Sequence, residues 1–260
     1  MREIIGKVLP NIKFADLHMH TSRSDGRMDP KSVIDLAARN LNLNVLAITD
    51  HEVTGPAIYA KNYCRRMGYD LEVIVGSEIT TSEGHLVGLY LKNDIPSGKN
   101  LEWTIKEIHK QDGLAVAPHP MYRLTRSITK QDILRATNSQ DSMVYFDGFE
   151  IFNAGILDNI FIGANKSAQK FYRDFPKQLG AAIGSSDGHF FSVGRGLTGF
   201  SGDLKDAITR NETAVLSSES PEKIEILELI KQMFGSMVLE PKRRIERYTI
   251  RQFSKGELGV

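Results

Sequence analysis

Short apolar stretches of five to seven residues alternate with longer amphipathic segments along most of the chain. The short stretches are rich in Val, Ile, Leu and Ala, which predicts strands at "IKFADLH", "NVLAIT", "LEVIVG", "HLVGLYL", "LAVAP", "DGFEIF" and "LGAAIGS", with a weaker one at "ETAVLS". Helices are predicted between them, over residues 30–40, 54–67, 100–112, 129–137, 158–174, 202–210 and 221–236. Asp29 before Pro30 indicates a helix start, because a capping side chain precedes proline at the first helical position.

The repeated strand-then-helix order predicts a parallel sheet wrapped by helices. Seven or eight such units in 260 residues favour an α/β fold of the (β/α) barrel type, complete or distorted. We assign residues 1–215 to this barrel. Residues 216–260 are predicted to form a helical and basic extension packed on the barrel, because "PEKIEILELIKQMFGSMVLE" has a helical apolar stripe and "PKRRIERYTIRQF" follows it.

Most histidines lie at the ends of predicted strands. His18 and His20 end the first strand, and both imidazoles can converge on one ion because side chains at i and i+2 share a face. Asp187 and His189 repeat this spacing after the seventh strand. His85 instead begins its strand, so either that strand runs oppositely or a loop folds back over the barrel mouth. The residues at or beside strand ends are His18, His20, Asp25, His51, Glu78, His85, His119, Asp187 and His189.

Each of these residues alone has an ordinary structural interpretation, since Ser24-Asp25-Gly26, for example, is typical of a turn. Together, six of the seven histidines and three carboxylates fall where the C-terminal face of a barrel carries active sites. The joint pattern therefore predicts a metal cluster at that face. Imidazole and carboxylate without thiolate suit Mn, Zn or Fe, and nine ligands are too many for one ion. We therefore expect two or three divalent metal ions.

The motifs "DLHMHTSRSDG", "AITDHEVTG", "VGSEIT", "HLVGLYL", "APHP" and "SSDGH" occur in this order over residues 14 to about 200. They resemble the PHP (polymerase and histidinol phosphatase) phosphoesterases. The resemblance implies a distorted (β/α)7 TIM-like barrel with its metal cluster at the C-terminal face, in agreement with the strand count.

The family's nine metal ligands each find a matching side chain among the nine residues named above. By resemblance, Glu78 bridges two metals. The remaining ligands then divide into His18, His20 and Asp187 around the first metal, His85 and His119 around the second, and Asp25, His51 and His189 around a third. No ligand position is visibly lost, which argues against a degenerate copy.

The donor set and the resemblance predict hydrolysis of a phosphate ester. Clustered divalent ions activate water as hydroxide and neutralise phosphoryl charge. Glu78, Asp187 and His189 are the expected catalytic residues. Arg195 and Arg123 are candidate donors to substrate phosphate, each with an ordinary surface arginine as the alternative. The substrate is expected to be a nucleotide, an oligonucleotide or a small phosphorylated metabolite, because "TDHEVTG" and "APHP" resemble stand-alone phosphoesterases that include such enzymes.

Four further polar residues lie near the predicted ligands. Asp16 and Asp50 could each orient a ligand imidazole from behind. Asn153 is expected to face the same mouth, where it could bind substrate or finish a turn. Arg126 is a weaker third candidate for binding phosphate.

Two other function classes compete with the phosphoesterase prediction. A metal-dependent amidohydrolase also begins with H-x-H on its first strand, but this chain has no obvious lysine after a middle strand for a carbamylated bridge. A non-catalytic metal-binding module is the second alternative, and the complete ligand set argues against it. No G-x-x-x-x-G-K-[ST] phosphate loop is present in the sequence.

Composition narrows the picture only slightly. The formal charge is +1, from 33 basic and 32 acidic residues, so no global field attracts nucleic acid, although a local basic rim could still bind it. Cys64 is the single cysteine, which rules out an intramolecular disulfide and a thiolate cluster. Without an apolar signal or span, the chain is expected to be cytoplasmic and not bound to membranes. The oligomeric state stays open, with a homodimer contact through the C-terminal segment as one alternative.

Overall fold

The computed structural model describes residues 2–6, 11–41, 43–122, 126–155, 163–189 and 193–218. Within this part of the chain the strands are β1 Arg2–Gly6, β2 Lys13–Asp16, β3 Val45–Ile48, β4 Glu72–Thr80, β5 His85–Leu89, β6 Leu114–Ala117, β7 Gly148–Asn153, β8 Ala181–Ser185, β9 Gly196–Phe200 and β10 Ala214–Ser218. The helices are α1 Pro30–Asn40, α2 Gly55–Met67, α3 Leu101–His109, α4 Lys130–Thr137, α5 Ala164–Asp174 and α6 Leu204–Thr209. The predicted α/β class is confirmed.

The strands form one sheet in the order β1-β10-β9-β2-β3-β4-β5-β6-β7-β8. Strands β2 to β4 are parallel to one another, as are β6 to β8. Strands β2 to β8 match the seven stronger strand predictions, and β10 matches the weaker one. Strand β5 is antiparallel to both neighbours, and its first residue, His85, pairs with Thr80 at the end of β4. Its strand therefore runs oppositely, which brings His85 to the same face as the other strand ends.

The sheet curls until β8, at one of its ends, lies against β9 and close to the end of β2, which gives a distorted, almost closed barrel. Met19 forms a parallel bridge with Gly188 beyond the ends of β2 and β8. The Thr198 hydroxyl on β9 accepts from the Gly184 N–H at 3.1 Å and donates to the Gly184 carbonyl at 2.9 Å. A Cβ at Gly196 would lie 2.0 Å from the Ser185 carbonyl oxygen, so only glycine permits this close approach.

Apolar side chains fill the barrel below the strand ends. The inward-facing cluster includes Val45, Ile74, Val116 and Ile183 from four different strands, and all four are buried. Two further apolar clusters lie under the helices, one beneath α1 and α2 and the other beneath α3, α4 and α5. Polar side chains converge above the apolar interior, so the core supports the barrel mouth from below.

Most predicted elements are present with shifted ends. Helix α1 starts as predicted, because the Asp29 carboxylate accepts from the N–H groups of Lys31 and Ser32. Strands β1 and β9 were not predicted, since "REIIG" carries charges and "GLTGF" contains two glycines. Strand β4 continues to Thr80, beyond the predicted end, because β5 pairs with it as a hairpin.

The predicted C-terminal extension lies almost entirely outside the described residues. Strand β10 crosses the predicted boundary at 215/216 and pairs with β9 and β1. The predicted helix over 221–236 is not among the described residues, so this extension and its homodimer contact stay predictions. No helix in the described ranges is long and apolar enough to cross a bilayer. The predicted cytoplasmic location likewise stays a prediction.

Candidate metal centre

The nine predicted ligands lie together at one end of the barrel, and we call them the mouth cluster. They come from loops after β2, β3, β6 and β8, from β4 and from the start of β5. The most exposed member is His85, with 15% of its side chain accessible. The mouth cluster consists of His18, His20, Asp25, His51, Glu78, His85, His119, Asp187 and His189.

The Glu78 carboxylate lies at the centre of the mouth cluster with five imidazoles around it. Its Oε1 atom is 2.9 Å from His85 Nδ1 and 2.9 Å from His119 Nε2. Its Oε2 atom faces three other Nε2 atoms, at 3.1 Å for His20, 3.4 Å for His18 and 3.4 Å for His51. Each oxygen therefore faces a separate set of nitrogens, as a carboxylate that bridges two cations requires.

Glu78 Oε2 and three neighbouring side-chain atoms have distances that fit a tetrahedral metal site. Asp187 Oδ1 lies 3.5 Å from His18 Nε2 and 3.5 Å from His20 Nε2, and these nitrogens are 3.1 Å apart. Glu78 Oε2 completes the set at 3.4 and 3.1 Å from the same nitrogens. Two ligands bound at about 2.1 Å to a tetrahedral ion lie about 3.4 Å apart, so these five distances fit one ion.

A second set of ligand atoms surrounds Asp25 on the opposite side of His20. Asp25 Oδ2 is 2.9 Å from His189 Nε2 and 3.7 Å from His51 Nε2, while Asp25 Oδ1 is 3.4 Å from His20 Nδ1. Histidine 189 can donate its Nδ1–H to the Asp187 carbonyl at 3.0 Å, and that tautomer leaves Nε2 unprotonated toward Asp25. His51 lies between this set and Glu78, so it can serve either.

The charge balance of the mouth cluster favours cations. Burial alone lowers the pKa of His20, but the Asp25, Asp187 and Glu78 carboxylates outweigh it and raise the pKa to about 10. Burial likewise raises the pKa of the Glu78 carboxyl, yet the surrounding imidazoles hold it well below its ordinary value. His51 differs, because burial dominates and lowers its pKa to about 3. A divalent ion supplies the positive charge that these carboxylates favour while leaving the imidazoles neutral as ligands.

Asp16 and Asp50 hold the loops that carry predicted ligands. Asp50 also reaches the His20 imidazole through the Ser24 hydroxyl, which lies 3.5 Å from His20 Nδ1. That either carboxylate orients a ligand imidazole stays a prediction. Asp16 accepts from the Ser186 N–H at 3.0 Å, from the Ser186 hydroxyl and from the Gly194 N–H at 2.9 Å. Its burial raises its pKa to about 6 despite these bonds. It thus fastens the loop that carries Asp187 and His189.

Asp50 plays the matching role for the loop that carries Asp25. Its carboxylate accepts from the Thr21 N–H at 2.9 Å, from the Thr21 hydroxyl at 2.7 Å and from the Ser24 hydroxyl. A Cβ at Gly26 would lie 2.4 Å from the His20 carbonyl oxygen, so the turn closes tightly against the chain that carries the first histidine pair. The glycine turn therefore directs Asp25 back over the mouth.

Glu150, on β7, adjoins the mouth cluster and was not predicted. Its Oε1 atom lies 3.0 Å from His18 Nδ1, and both residues are buried. The period-two alternation of "DGFEIF" could have revealed it, because Phe149 and Ile151 face the helices and Glu150 faces the opposite, inner side. Asn153 faces the mouth as predicted, and its amide donates to Glu150 and to Asp187 while its oxygen accepts from the Gly155 N–H.

The predicted phosphate-binding arginines have different outcomes. Arg195 is half-buried and directly follows Gly194, in the described segment that resumes at residue 193. Arg123 lies outside the described residues, so its role stays a prediction. Arg126 lines a cavity of about 430 Å³ with residues Thr80 to Gly84 and with Gly98, and its carbonyl accepts from the His85 N–H at 2.6 Å.

The sequence of this chain was compared with protein-family models and with known proteins. A family model described as the PHP domain matches residues 16–240. An uncharacterised protein of Methanocaldococcus jannaschii is 36% identical over 161 residues, which are 56% of this chain and 87% of that protein. The chain is also similar over shorter stretches to two named enzymes. A 5'-3' exoribonuclease of Salmonella typhimurium is 37% identical over 33% of this chain and 31% of its own length, and a 3',5'-nucleoside bisphosphate phosphatase of Chromobacterium violaceum is 40% identical over 28% and 26%.

Two solved structures share the fold. A two-domain protein from Bacteroides vulgatus, containing a predicted PHP-like metal-dependent phosphoesterase, matches 86% of this chain and 69% of its own, with a TM-score of 0.63 and 21% identity. An amidohydrolase from Chromobacterium violaceum matches 69% of this chain and 89% of its own, with a TM-score of 0.51 and 19% identity. Both likenesses extend over the barrel and support its distorted TIM-like architecture.

Proposed function

The chain belongs to the PHP domain family of metal-dependent phosphoesterases, and on this premise we propose that it hydrolyses a phosphate ester of a nucleotide, a short oligonucleotide or a small phosphorylated metabolite. One observation carries the proposal: Glu78 Oε2 and Asp187 Oδ1 each lie 3.1–3.5 Å from both His18 Nε2 and His20 Nε2, which is the spacing of ligands to one ion. The other oxygen of Glu78 faces His85 and His119 at 2.9 Å, which supports a bridge to a second ion.

The mouth cluster would hold two or three divalent ions, for which Mn, Zn and Fe suit its imidazole and carboxylate donors. His18, His20 and Asp187 would bind the first ion, His85 and His119 the second, and Glu78 both. Asp25, His51 and His189 would bind a third. The distances around Asp25 support this third group.

When bound, the ions would activate water and offset charge on the phosphoryl group. Residues of the chain would link the three groups of metal ligands. Glu78 joins the first two groups, while Asp187 and His189, one after the other on a single loop, join the first group to the third. Arg195 follows this loop and would bind a phosphate oxygen, because a guanidinium pairs with phosphate through two donors.

The substrate class is drawn from the named relatives. An exoribonuclease and a nucleoside bisphosphate phosphatase share partial matches with this chain, which supports nucleotides or short oligonucleotides before other phosphate esters.

The proposal is tested with the full chain loaded separately with Mn²⁺, Zn²⁺ and Fe²⁺. p-Nitrophenyl phosphate, its bis ester, nucleoside 3',5'-bisphosphates and short 5'-phosphorylated oligoribonucleotides are assayed beside an amide substrate. We expect phosphate release that a chelator abolishes and that the metal restores. Amide hydrolysis without phosphoester hydrolysis would replace the proposal with the amidohydrolase alternative. Activity confined to phosphate monoesters would exclude oligonucleotide cleavage at internal phosphodiesters.

A further inference from the structure

Glu150 lies directly behind the mouth cluster and touches ligands on more than one side of it. We propose that Glu150 is a positioning residue that fixes which nitrogen of His18 carries the proton and holds His18, His119 and Asp187 in place for metal binding. The inference rests on the proposed function, because it assumes that the mouth cluster binds divalent ions. It adds a residue that is not one of the nine predicted ligands.

Four donors from four different segments converge on the Glu150 carboxylate. Oε1 accepts from His18 Nδ1 at 3.0 Å and from the Ser185 hydroxyl at 2.6 Å. Oε2 accepts from the backbone N–H of His119 at 2.7 Å and from the Asn153 amide at 2.8 Å. A carboxylate has about four lone-pair sites, so this one is fully used, and its side chain is 1% exposed.

The bond to His18 has a direct consequence for metal binding. A neutral imidazole has one N–H and one free lone pair, and ionised Glu150 accepts only, so the proton must lie on Nδ1. The lone pair on Nε2 then points toward Glu78, Asp187 and His20. Metal-binding histidines usually have such a partner behind them, which fixes the tautomer and makes the ligand nitrogen more basic.

The other two bonds extend the effect to the remaining sides of the site. His119 has a φ of +29°, an unusual backbone conformation for a residue with a Cβ, and its N–H is held by Glu150. The Asn153 amide that donates to Glu150 also donates to Asp187 Oδ2 at 3.2 Å. Glu150 is thereby connected to the first predicted metal group through His18 and Asp187, and to the second through His119.

Replacing Glu150 with Gln keeps the shape but breaks this arrangement in either orientation of the amide. If the NH₂ group replaces Oε1, it faces His18 Nδ1–H, and His18 must move its proton to Nε2, where it opposes a metal ion. If the NH₂ group replaces Oε2, it faces the N–H of His119 and the amide of Asn153, so that donors oppose donors. The negative charge of the Glu150 carboxylate is lost in both cases.

The test compares Glu150→Gln with Asp147→Asn, a matched control. Asp147 is also buried and accepts from an imidazole at 2.9 Å and from the Ala115 N–H at 2.7 Å, but it lies outside the mouth cluster. Affinity and stoichiometry for Mn²⁺ are measured on all three proteins. We expect Glu150→Gln to bind Mn²⁺ about 10- to 100-fold more weakly, and Asp147→Asn to change the affinity less than about threefold.

A second measurement does not depend on whether the variant folds. Imidazole ¹⁵N shifts of the wild-type chain loaded with Zn²⁺ should show His18 protonated at Nδ1 and metal-bound at Nε2. Unchanged Mn²⁺ affinity in Glu150→Gln, or a wild-type His18 protonated at Nε2, would overturn the inference while the proposed function stands. A wild-type chain that binds no divalent ion would overturn both.

Discussion

The mouth cluster and the surroundings of His109 both bury imidazoles beside carboxylates, but they differ in how the ring nitrogens are satisfied. Each ring nitrogen of His109 has its own acceptor, whereas the imidazoles of the mouth cluster share theirs. His109, on α3, lies 2.8 Å from the Met143 carbonyl through Nδ1 and 2.9 Å from the Asp147 carboxylate through Nε2. Both partners accept hydrogen bonds, so an imidazolium satisfies the site with no further ligand. Tyr145 stacks on the ring at 4.2 Å and covers it further.

At the mouth, by contrast, ring nitrogens face one another and shared carboxylate oxygens. His18 Nε2 and His20 Nε2 are 3.1 Å apart and both face the same oxygen of Glu78. A single proton can join one such pair, but it cannot satisfy five imidazoles around one carboxylate. Burial and a nearby carboxylate therefore do not distinguish a metal ligand from a structural histidine, whereas convergence of several lone pairs does.

The largest expected effect comes from Glu78→Gln. An amide cannot offer two anionic oxygens to two ions, so we expect loss of bound metal and a fall in turnover of at least about 10³-fold, or about 4 kcal/mol in the barrier. Metal content and phosphoester hydrolysis are measured together. Glu72→Gln, an exposed change at the start of the same strand, is the control and should retain both. Full turnover and metal content in Glu78→Gln would contradict the bridging role.

His109→Ala should show the reverse pattern. It leaves Asp147 as a buried carboxylate without its imidazolium, so the free energy of unfolding should fall by about 3–5 kcal/mol. Metal content and turnover should stay at the wild-type values at temperatures where the variant is folded. Chemical denaturation of the metal-loaded protein gives the first quantity, and metal analysis gives the second. Loss of metal in His109→Ala would erase the distinction between the two regions.

The sequence predicted the residues of the mouth cluster more completely than the residues that hold them in position. The convergence of most of the nine predicted ligands was predictable because they lie at or beside strand ends, where alternation and barrel topology indicate a common face. His85 needed the structure, since only strand pairing shows that β5 runs oppositely. Glu150 was missed because a single acidic residue within an apolar strand gives no sign of which distant donors it will meet.

Strand β9, which lies against β8 where the predicted barrel closes, was missed for a related reason. Strand β9 contains glycines that weaken its strand pattern, and the requirement for Gly196 arises only from the backbone of Ser185 on another strand. Asp16 and Asp50 were placed correctly next to the predicted ligands, but the hydrogen bonds by which they hold loops were not predicted. Which donor a carboxylate meets depends on how loops far apart in sequence pack together.

Gly26→Ala should weaken metal binding without removing a ligand. A Cβ at Gly26 would meet the His20 carbonyl oxygen at 2.4 Å and the Thr21 nitrogen at 2.8 Å, so the turn must open and displace Asp25. We expect an affinity loss of about 10- to 100-fold, comparable to the loss of an outer-sphere support. Gly55→Ala, where nothing lies within 4 Å of the added Cβ, is the control. Equal affinities in both variants would show that the turn does not place Asp25.

The smallest expected effect is a pH dependence that belongs to His109 alone. Burial lowers the pKa of His109, but the bonds to Asp147 and Met143 outweigh it, so the pKa in the folded chain is raised above the ordinary value. A raised pKa means that the stabilisation is complete below about pH 6.5 and is lost as the pH rises through the folded-state pKa, with a slope of at most about 1.4 kcal/mol per pH unit. The free energy of unfolding is compared between the metal-saturated wild type and the double variant His109→Gln with Asp147→Asn, so that contributions from the mouth cluster cancel. The difference in free energy of unfolding between the two proteins should shrink as the pH rises. A difference that grows with pH would show that the folded chain holds the His109 imidazole neutral.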